Sequence, residues 1–335
     1  MTTSDKSVNP CFISPLASWM NEYIQINRTI GHKYNLDAIY LKQFDTYCDL
    51  HKIVKPILSQ EIFDGWCSKR PHETERSHHI RVRTLRRFSM FLHNNNVEAP
   101  TAFHRLPNPG SAFIPYIFTR EEISCFLTAA KKVKSNGHNP VAGDVFPLLF
   151  QTLYCCGLRL SEALNLRNDD VDLSGGILTI LNAKHGKDRL VPMSESLRLL
   201  FLDYSKNPSV KKLRSEFFFP APDSGQYASC SVYTRFRRIL WDAGISHGGR
   251  GAGPRLHDLR HSFAVHALDN WVLDGKDIYV VLPILSIYMG HKNIYATQRY
   301  LRLTPEAYPL MLSDFESQFG TVFPSWPSGL EACNE

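Results

Sequence analysis

Residues 285–301 read LSIYMGHKNIYATQRYL, and the fold turns on how this stretch is bent. His291 and Tyr300 stand about two and a half helical turns apart, so one unbroken helix would aim them in opposite directions. Gly290 can adopt the left-handed conformation that ends a helix, and Asn293 can cap a new helix carrying Tyr300. The stretch therefore predicts a helix, a break, and a short second helix that brings the histidine and the tyrosine to one point.

Upstream, LHDLRHSFA at 256–264 spaces His257 and Arg260 three residues apart, so on a helix both face one spot. His261, beside Arg260, is read as pointing elsewhere and serving packing or hydrogen bonding. GLRLSE at 157–162 puts the Glu162 carboxylate one turn from Arg159, where it can orient the guanidinium. Between these segments, 176–181 is a β-rich run, 184–188 a turn, and Arg189-Leu190-Val191-Pro192 a return strand. Lys184 thus opens a hairpin loop, with Lys187 as a rival three residues on.

Two arginines, a lysine, two histidines and a tyrosine suit attack on a phosphodiester without a metal. Negative charge builds on the non-bridging oxygens, and fixed cations must meet it. Arginine suits this because its planar fork donates paired hydrogen bonds and keeps its charge. Histidine, with an ordinary pKa near 6.5, can move the tyrosine's proton. Taken singly, RxxE and HxxR are common on helix surfaces; only the set carries meaning.

The four segments, in this order, resemble the tyrosine recombinase (phage integrase) family, of Xer-like or transposon type. The resemblance implies a mainly α fold with a small β-hairpin or sheet, in two parts. An N-terminal helical DNA-clamping domain (SAM-like, core-binding) would precede a C-terminal tyrosine recombinase catalytic domain. It implies Tyr300 as nucleophile, with Tyr295 and Tyr308 standing off the pattern, and His257 as general acid/base. Arg159, Arg260 and His291 would hold the scissile phosphate, Glu162 would support them, and Lys184 would protonate the departing 5′ oxygen. No cofactor and no metal are called for. The partner would be double-stranded DNA with recombination sites, bound by a homo-tetramer on synapsed sites, with room for accessory proteins. An apolar stripe of Leu310, Met311, Phe315 and Phe319 is a candidate contact between subunits. One departure shows: the segment from Arg260 to His291 is long for the family, and Asp269 to Asp277 is read as a surface insertion.

The chain divides once. Residues 100–115, PTAFHRLPNPGSAFIP, hold four prolines and a glycine, which predicts an extended linker over 101–115. A helical domain is expected at 12–100 and the catalytic domain at 116–335, beginning at a capping box of Thr119 and Glu122. Helical periodicity runs from Leu16 to Ile26 and from Asn35 to His51, and Ser59 starts another helix. Residues 69–87, KRPHETERSHHIRVRTLRR, lead into an amphipathic helix with Leu85, Phe88, Phe91 and Leu92 on one face. Arg83, Arg86 and Arg87 project from its other side and are expected to contact DNA; Arg81, in line with Leu85, joins them by reaching solvent from the helix's first turn.

Composition fits this reading. Of 335 residues, 43% are hydrophobic and 12% aromatic, as in a globular protein, and the net charge of +6 permits nucleic acid binding. The longest apolar run, 278–289, contains a proline and is too short to span a bilayer. MTTSDKSVNP lacks a secretory pattern, and the eight cysteines show no CxxC pair, so a cytoplasmic protein with reduced thiols is expected. The expected activity is site-specific cleavage and rejoining for integration, excision or transposition of a mobile element. Two alternatives stay open: the same chemistry used to resolve chromosome or plasmid dimers, and a catalytically inactive DNA-binding relative.

Overall fold

The computed structural model describes residues 10–109, 114–181, 188–249 and 253–301. The chain falls into two compact units, 1–113 and 114–335. Among the described residues no helix is long and apolar enough to cross a membrane.

The first unit is four helices, α1 (Ala17–Thr29), α2 (Asn35–Leu50), α3 (Gln60–Cys67) and α4 (Glu75–Asn94). Ser59 caps α3 through the Ile62 N–H, and Thr74 caps α4 through the Ser77 N–H. Apolar residues spaced three and four apart meet in one core, where Leu41, Phe44, Phe63, Trp66, Leu85, Phe88 and Leu92 are buried.

Arg81 is the correction here. Its side chain is fully buried, 0% exposed. Nε and Nη2 donate to the two oxygens of Glu73 at 2.7 Å, Nη2 also to the Ser68 carbonyl at 2.9 Å, and Nη1 to the Trp66 carbonyl. The helical phase that aligns it with Leu85 turns it inward, where it staples the end of α3 to α4 and is not available to DNA. Arg86 is half-buried, donates to the His104 carbonyl and lies 5.2 Å over the Phe103 ring. Arg83 is half-buried and Arg87 exposed. Breaking a buried ion pair leaves an uncompensated charge and costs about 3–5 kcal/mol. Arg81→Ala should therefore lower the chemical unfolding midpoint of the first unit markedly, followed by Trp fluorescence, while Arg87→Ala barely moves it. Equal midpoints for the two variants would show that the staple carries little stability.

The expected linker does not hang free along its whole length. Phe103 stacks on Phe63 with ring centroids 5.2 Å apart, and His79 Nδ1 donates to the Pro107 carbonyl at 2.7 Å. Prolines keep 101–109 out of a helix, but an aromatic anchor holds it on the first unit.

The second unit begins at α5 (Arg120–Lys131), with the Thr119–Glu122 capping box formed in both directions. There follow α6 (Ala142–Cys155), α7 (Leu160–Asn165), strands β1 (Val171–Asp172), β2 (Ile177–Ile180) and β3 (Arg189–Pro192), α8 (Glu195–Lys206) and α9 (Pro208–Lys212). The chain then runs through α10 (Ser229–Asp242), α11 (Asp258–Leu273), α12 (Ile278–Met289) and α13 (Tyr295–Leu301). The strands form one antiparallel sheet, β1-β2-β3, with Leu178 opposite Val191. β1, at two residues, is too short to show alternation in the sequence.

One core gathers Phe126, Phe146, Phe150, Phe201, Phe219 and Phe236; a second joins Ala264, Val265 and Leu268 of α11 to Leu282, Leu285 and Met289 of α12 and to Tyr300. The second core corrects the start of the expected surface insertion. α11 continues through Leu273 and buries Asp269, because its apolar stripe packs on α12. Asn270 and residues 273–277 are exposed, so the expected insertion is at the surface except where α11 begins it.

Candidate active site

The site is built around a carboxylate. Arg159 is extended backbone at the start of α7, so its N–H points along the new helix and donates to Glu162 Oε2 at 2.9 Å. Its Nη1 donates to Glu162 Oε1 at 2.6 Å. From the sheet side Arg189 gives Glu162 two parallel bonds, Nη1 to Oε1 at 3.0 Å and Nη2 to Oε2 at 2.9 Å. Arg260 Nη1 lies 3.9 Å from the same carboxylate. Burial alone would raise the Glu162 pKa, but the hydrogen bonds from Arg189 and the Arg159 backbone win and hold it at about 2. Glu162 is therefore a permanent anion that fixes the arginines around it.

Arg260, on α11, is 2% exposed, and two backbone carbonyls cradle it: Gly157 takes Nη1 and Met289 takes Nη2, each at 2.5 Å. Burial and the neighbouring Arg159 push its pKa down to about 10, so it keeps its charge at neutral pH. Gly157 has φ +56°, and a Cβ there would stand 2.4 Å from the Phe263 ring, so only glycine brings this carbonyl to the guanidinium.

Gly290 is the break the sequence called for. With φ 64° and ψ 48° it ends α12; its N–H donates to the Ile287 carbonyl, and the next N–H, of His291, donates to Ser286. Asn293 Oδ1 then accepts from the Ala296 N–H at 3.3 Å and starts α13. Gly290 has a second role. Its carbonyl accepts from Arg159 Nη2 at 3.1 Å, and a Cβ there would crowd the Arg189 guanidinium at 3.1 Å. The residue that turns the chain also lets two arginines close on it.

The turn brings the His291 and Tyr300 rings to 6.1 Å. His291 Nδ1 is 2.7 Å from Thr297 Oγ1. Burial first, then the charges of Arg260, Arg159 and Arg189, lower its pKa to about 4, so the ring is neutral in use. Tyr300 is 5% exposed, and burial raises its pKa against the opposing pull of Arg260, Arg299 and Arg159. Its hydroxyl is 2.9 Å from His261 Nδ1. Burial, then His257 and Arg260, push the His261 pKa down to about 3. The His257 ring, at the start of α11, lies 4.7 Å from that of His261.

The structure thus collects Arg159, Glu162, His257, Arg260, His291 and Tyr300, widely spaced in the sequence, at the meeting of α7, α11, α12 and α13. Lys184 lies outside the described residues, as do Tyr308 and the stripe from Leu310 to Phe319. Tyr295 is 71% exposed, against 5% for Tyr300. Two members were not foreseen. Arg189 had a signal: strand alternation puts it in phase with the buried Val191, while Leu190 between them faces solvent. His261 is a correction, since it does not point away but meets the tyrosine. The i, i+4 spacing sets the His257 and His261 rings on one side of α11, where His261 meets Tyr300 of α13.

A mainly helical domain that gathers three arginines on one fixed carboxylate, with three histidines and a tyrosine close by, has the make-up of a site-specific DNA recombinase. The phage integrase family model matches residues 117–307, and this chain belongs to that family of tyrosine recombinases. A Sinorhizobium fredii protein, y4rB, provisionally named as an integrase/recombinase, is 30% identical over 295 residues, which is 86% of this chain and 92% of that one. The tyrosine recombinase XerC of Halalkalibacterium halodurans is 30% identical over 230 residues, 68% of this chain and 71% of its own. Among solved structures, the XerH site-specific recombinase bound to palindromic difH substrate superposes with a TM-score of 0.63 at 19% identity, covering 89% of this chain and 84% of that one. The Tn1549 transposon integrase with circular intermediate DNA gives 0.60 at 18% identity, covering 85% and 94%. At those identities the structures show a shared fold.

Proposed function

We infer that this recombinase cuts and rejoins DNA at defined sites through a covalent 3′-phosphotyrosyl bond to Tyr300. The observation that carries the reading is the buried Tyr300 hydroxyl held in the same cluster as Arg159 and Arg260. The Tyr300 oxygen attacks a backbone phosphorus and His257 takes its proton. The two guanidiniums meet the charge that grows on the non-bridging oxygens. His291, neutral and with Nδ1 on Thr297, offers Nε2–H to the same phosphate. Lys184 protonates the departing 5′ oxygen. The ester conserves the bond energy, and a 5′-hydroxyl from the partner duplex reverses the step. The fixed cations supply the charge a metal would otherwise bring.

The test is adduct formation on a nicked suicide substrate in excess EDTA. The adduct should form at an undiminished rate; loss of cleavage that magnesium restores would mean a metal-dependent nuclease.

The first domain, residues 12–100, binds the duplex, and the catalytic domain, residues 116–335, cuts it. Arg87, exposed on α4, and Arg83 beside it contact phosphates, and Arg86 does so only with what its bond to His104 leaves free. Replacing Arg83 and Arg87 by Ala should weaken binding and flatten its salt dependence, by about one unit of slope for each phosphate left without its arginine. An unchanged slope would leave α4 as no more than a solvated face.

Exchange of two duplexes calls for four copies on two synapsed sites, and integration, excision or transposition of a mobile element is the service we assign to it. The Tn1549 integrase fold fits that assignment. Whether purified enzyme joins two sites on separate DNAs, or resolves sites on one, distinguishes this role from dimer resolution. The reaction takes place where the DNA is, in the cytoplasm.

A further inference from the structure

His261 is the histidine that touches Tyr300, and the mechanism above makes no use of it. Its Nδ1 is 2.9 Å from the Tyr300 oxygen. It lies one residue after Arg260 on α11, about 100° further round the helix. Arg260 therefore turns to the Gly157 and Met289 carbonyls while His261 turns to α13. One rigid helix thus sets both the phosphate-binding charge and the direction of the nucleophile's hydroxyl.

We propose that His261 is a positioning residue: its Nδ1 accepts the Tyr300 O–H and thereby aims the oxygen's lone pairs away from α11 for attack. This rests on the reading of Tyr300 as nucleophile. A phenol on its own holds its hydroxyl near the ring plane in either of two equivalent orientations; an acceptor fixed on α11 selects one of them. Buried as the hydroxyl is, an unpaired O–H would also carry a desolvation cost. His261 orients the O–H and does not take the proton. An imidazolium at this point would face His257 and Arg260 on its own helix and Arg299 and His291 from the α12–α13 side, all raising its energy. His257, the base of the mechanism above, takes the proton at attack; its ring stands edge-on to that of His261 at 4.7 Å.

The experiment measures the single-turnover rate of adduct formation at saturating nicked DNA, so that unfolded protein and altered affinity drop out. H261L, similar in bulk but without an acceptor, should fall about 30-fold, because a misdirected nucleophile loses much of its proximity advantage. H261N places an amide atom where Nδ1 stands and should recover most of the rate, whereas H261Q, whose amide sits at the Nε2 position, should stay slow. The Asn–Gln comparison decides the matter even if H261L does not fold. H261L at the wild-type rate overturns the proposal. So does H261N as slow as H261Q at full DNA occupancy, which would make the histidine a proton acceptor or a packing group. Adduct formation by a Tyr300→Phe chain would overturn the nucleophile assignment instead, a failure distinct from either of these.

Discussion

A Tyr300→Phe chain forms no covalent protein–DNA adduct on a nicked suicide substrate, while it binds that substrate with an affinity close to the parent's. Only the phenolic oxygen is removed. The ring keeps its place among Ala264, Val265, Leu285 and Met289, so the second core of the catalytic unit stays packed. What changes locally is that His261 Nδ1 loses its partner. The cost of one unpaired, half-buried nitrogen is about 1–3 kcal/mol, too little to unfold the unit. Loss of the nucleophile, by contrast, removes the covalent route altogether. A Tyr295→Phe chain serves as the control, and its adduct should form normally. An adduct from the Tyr300→Phe chain, missing from the Tyr295→Phe one, would move the nucleophile to the exposed tyrosine at the start of α13.

The second large effect falls on the arginines. Arg159→Ala should slow adduct formation by about 10²–10³, on the order of 3–4 kcal/mol of lost transition-state stabilisation, as for removal of an oxyanion donor. Arg159 is the cleaner of the pair to test. Its side chain is partly open to solvent, and Glu162 keeps two hydrogen bonds from Arg189 when it is gone. Arg260→Ala should be at least as damaging, but it also strips the Gly157 and Met289 carbonyls of their donor, so its rate must be read on folded, DNA-bound protein. Lysine at either place should recover little, because a point charge cannot span Glu162 and the Gly290 carbonyl from one side while presenting a fork to a phosphate. An Arg159→Lys chain that cleaves at the parent rate would show that charge alone suffices and that the paired geometry is idle.

The residues behind these effects are visible in the sequence to unequal degrees. Local chemistry was legible. The helix ends at Ser59, at Thr119–Glu122 and at Gly290–Asn293 are written in residue types whose backbone preferences act over three or four positions, and each forms where expected. The return of β3 along β2 and the inward face of α4 are legible in the same way, from residue type and periodicity. Even the fate of Arg81 was within reach: its phase with Leu85 puts it inside, and a buried guanidinium must find acceptors, here Glu73 and two carbonyls. The candidate site set was legible only as a set, through its likeness to a family, because each RxxE or HxxR is ambiguous alone.

What the sequence by itself determined, then, is where the chain turns, which faces are apolar and which residue types are available for phosphate chemistry. Only the tertiary structure decided who meets whom. Glu162 and Arg189 are 27 positions apart, Arg260 and the Gly157 carbonyl 103, and Arg159 and the Gly290 carbonyl 131. Pairings at such separations depend on how α7, β3, α11 and α12 pack, and no local preference encodes them. The same holds for His261 and Tyr300, 39 apart. Helical phase fixes which side of α11 the histidine leaves from, but only the packing of α13 against that side puts a tyrosine hydroxyl there. Backbone propensity acts over a few residues, whereas a buried charge or hydroxyl is satisfied by whatever the assembled core brings within about 3 Å of it.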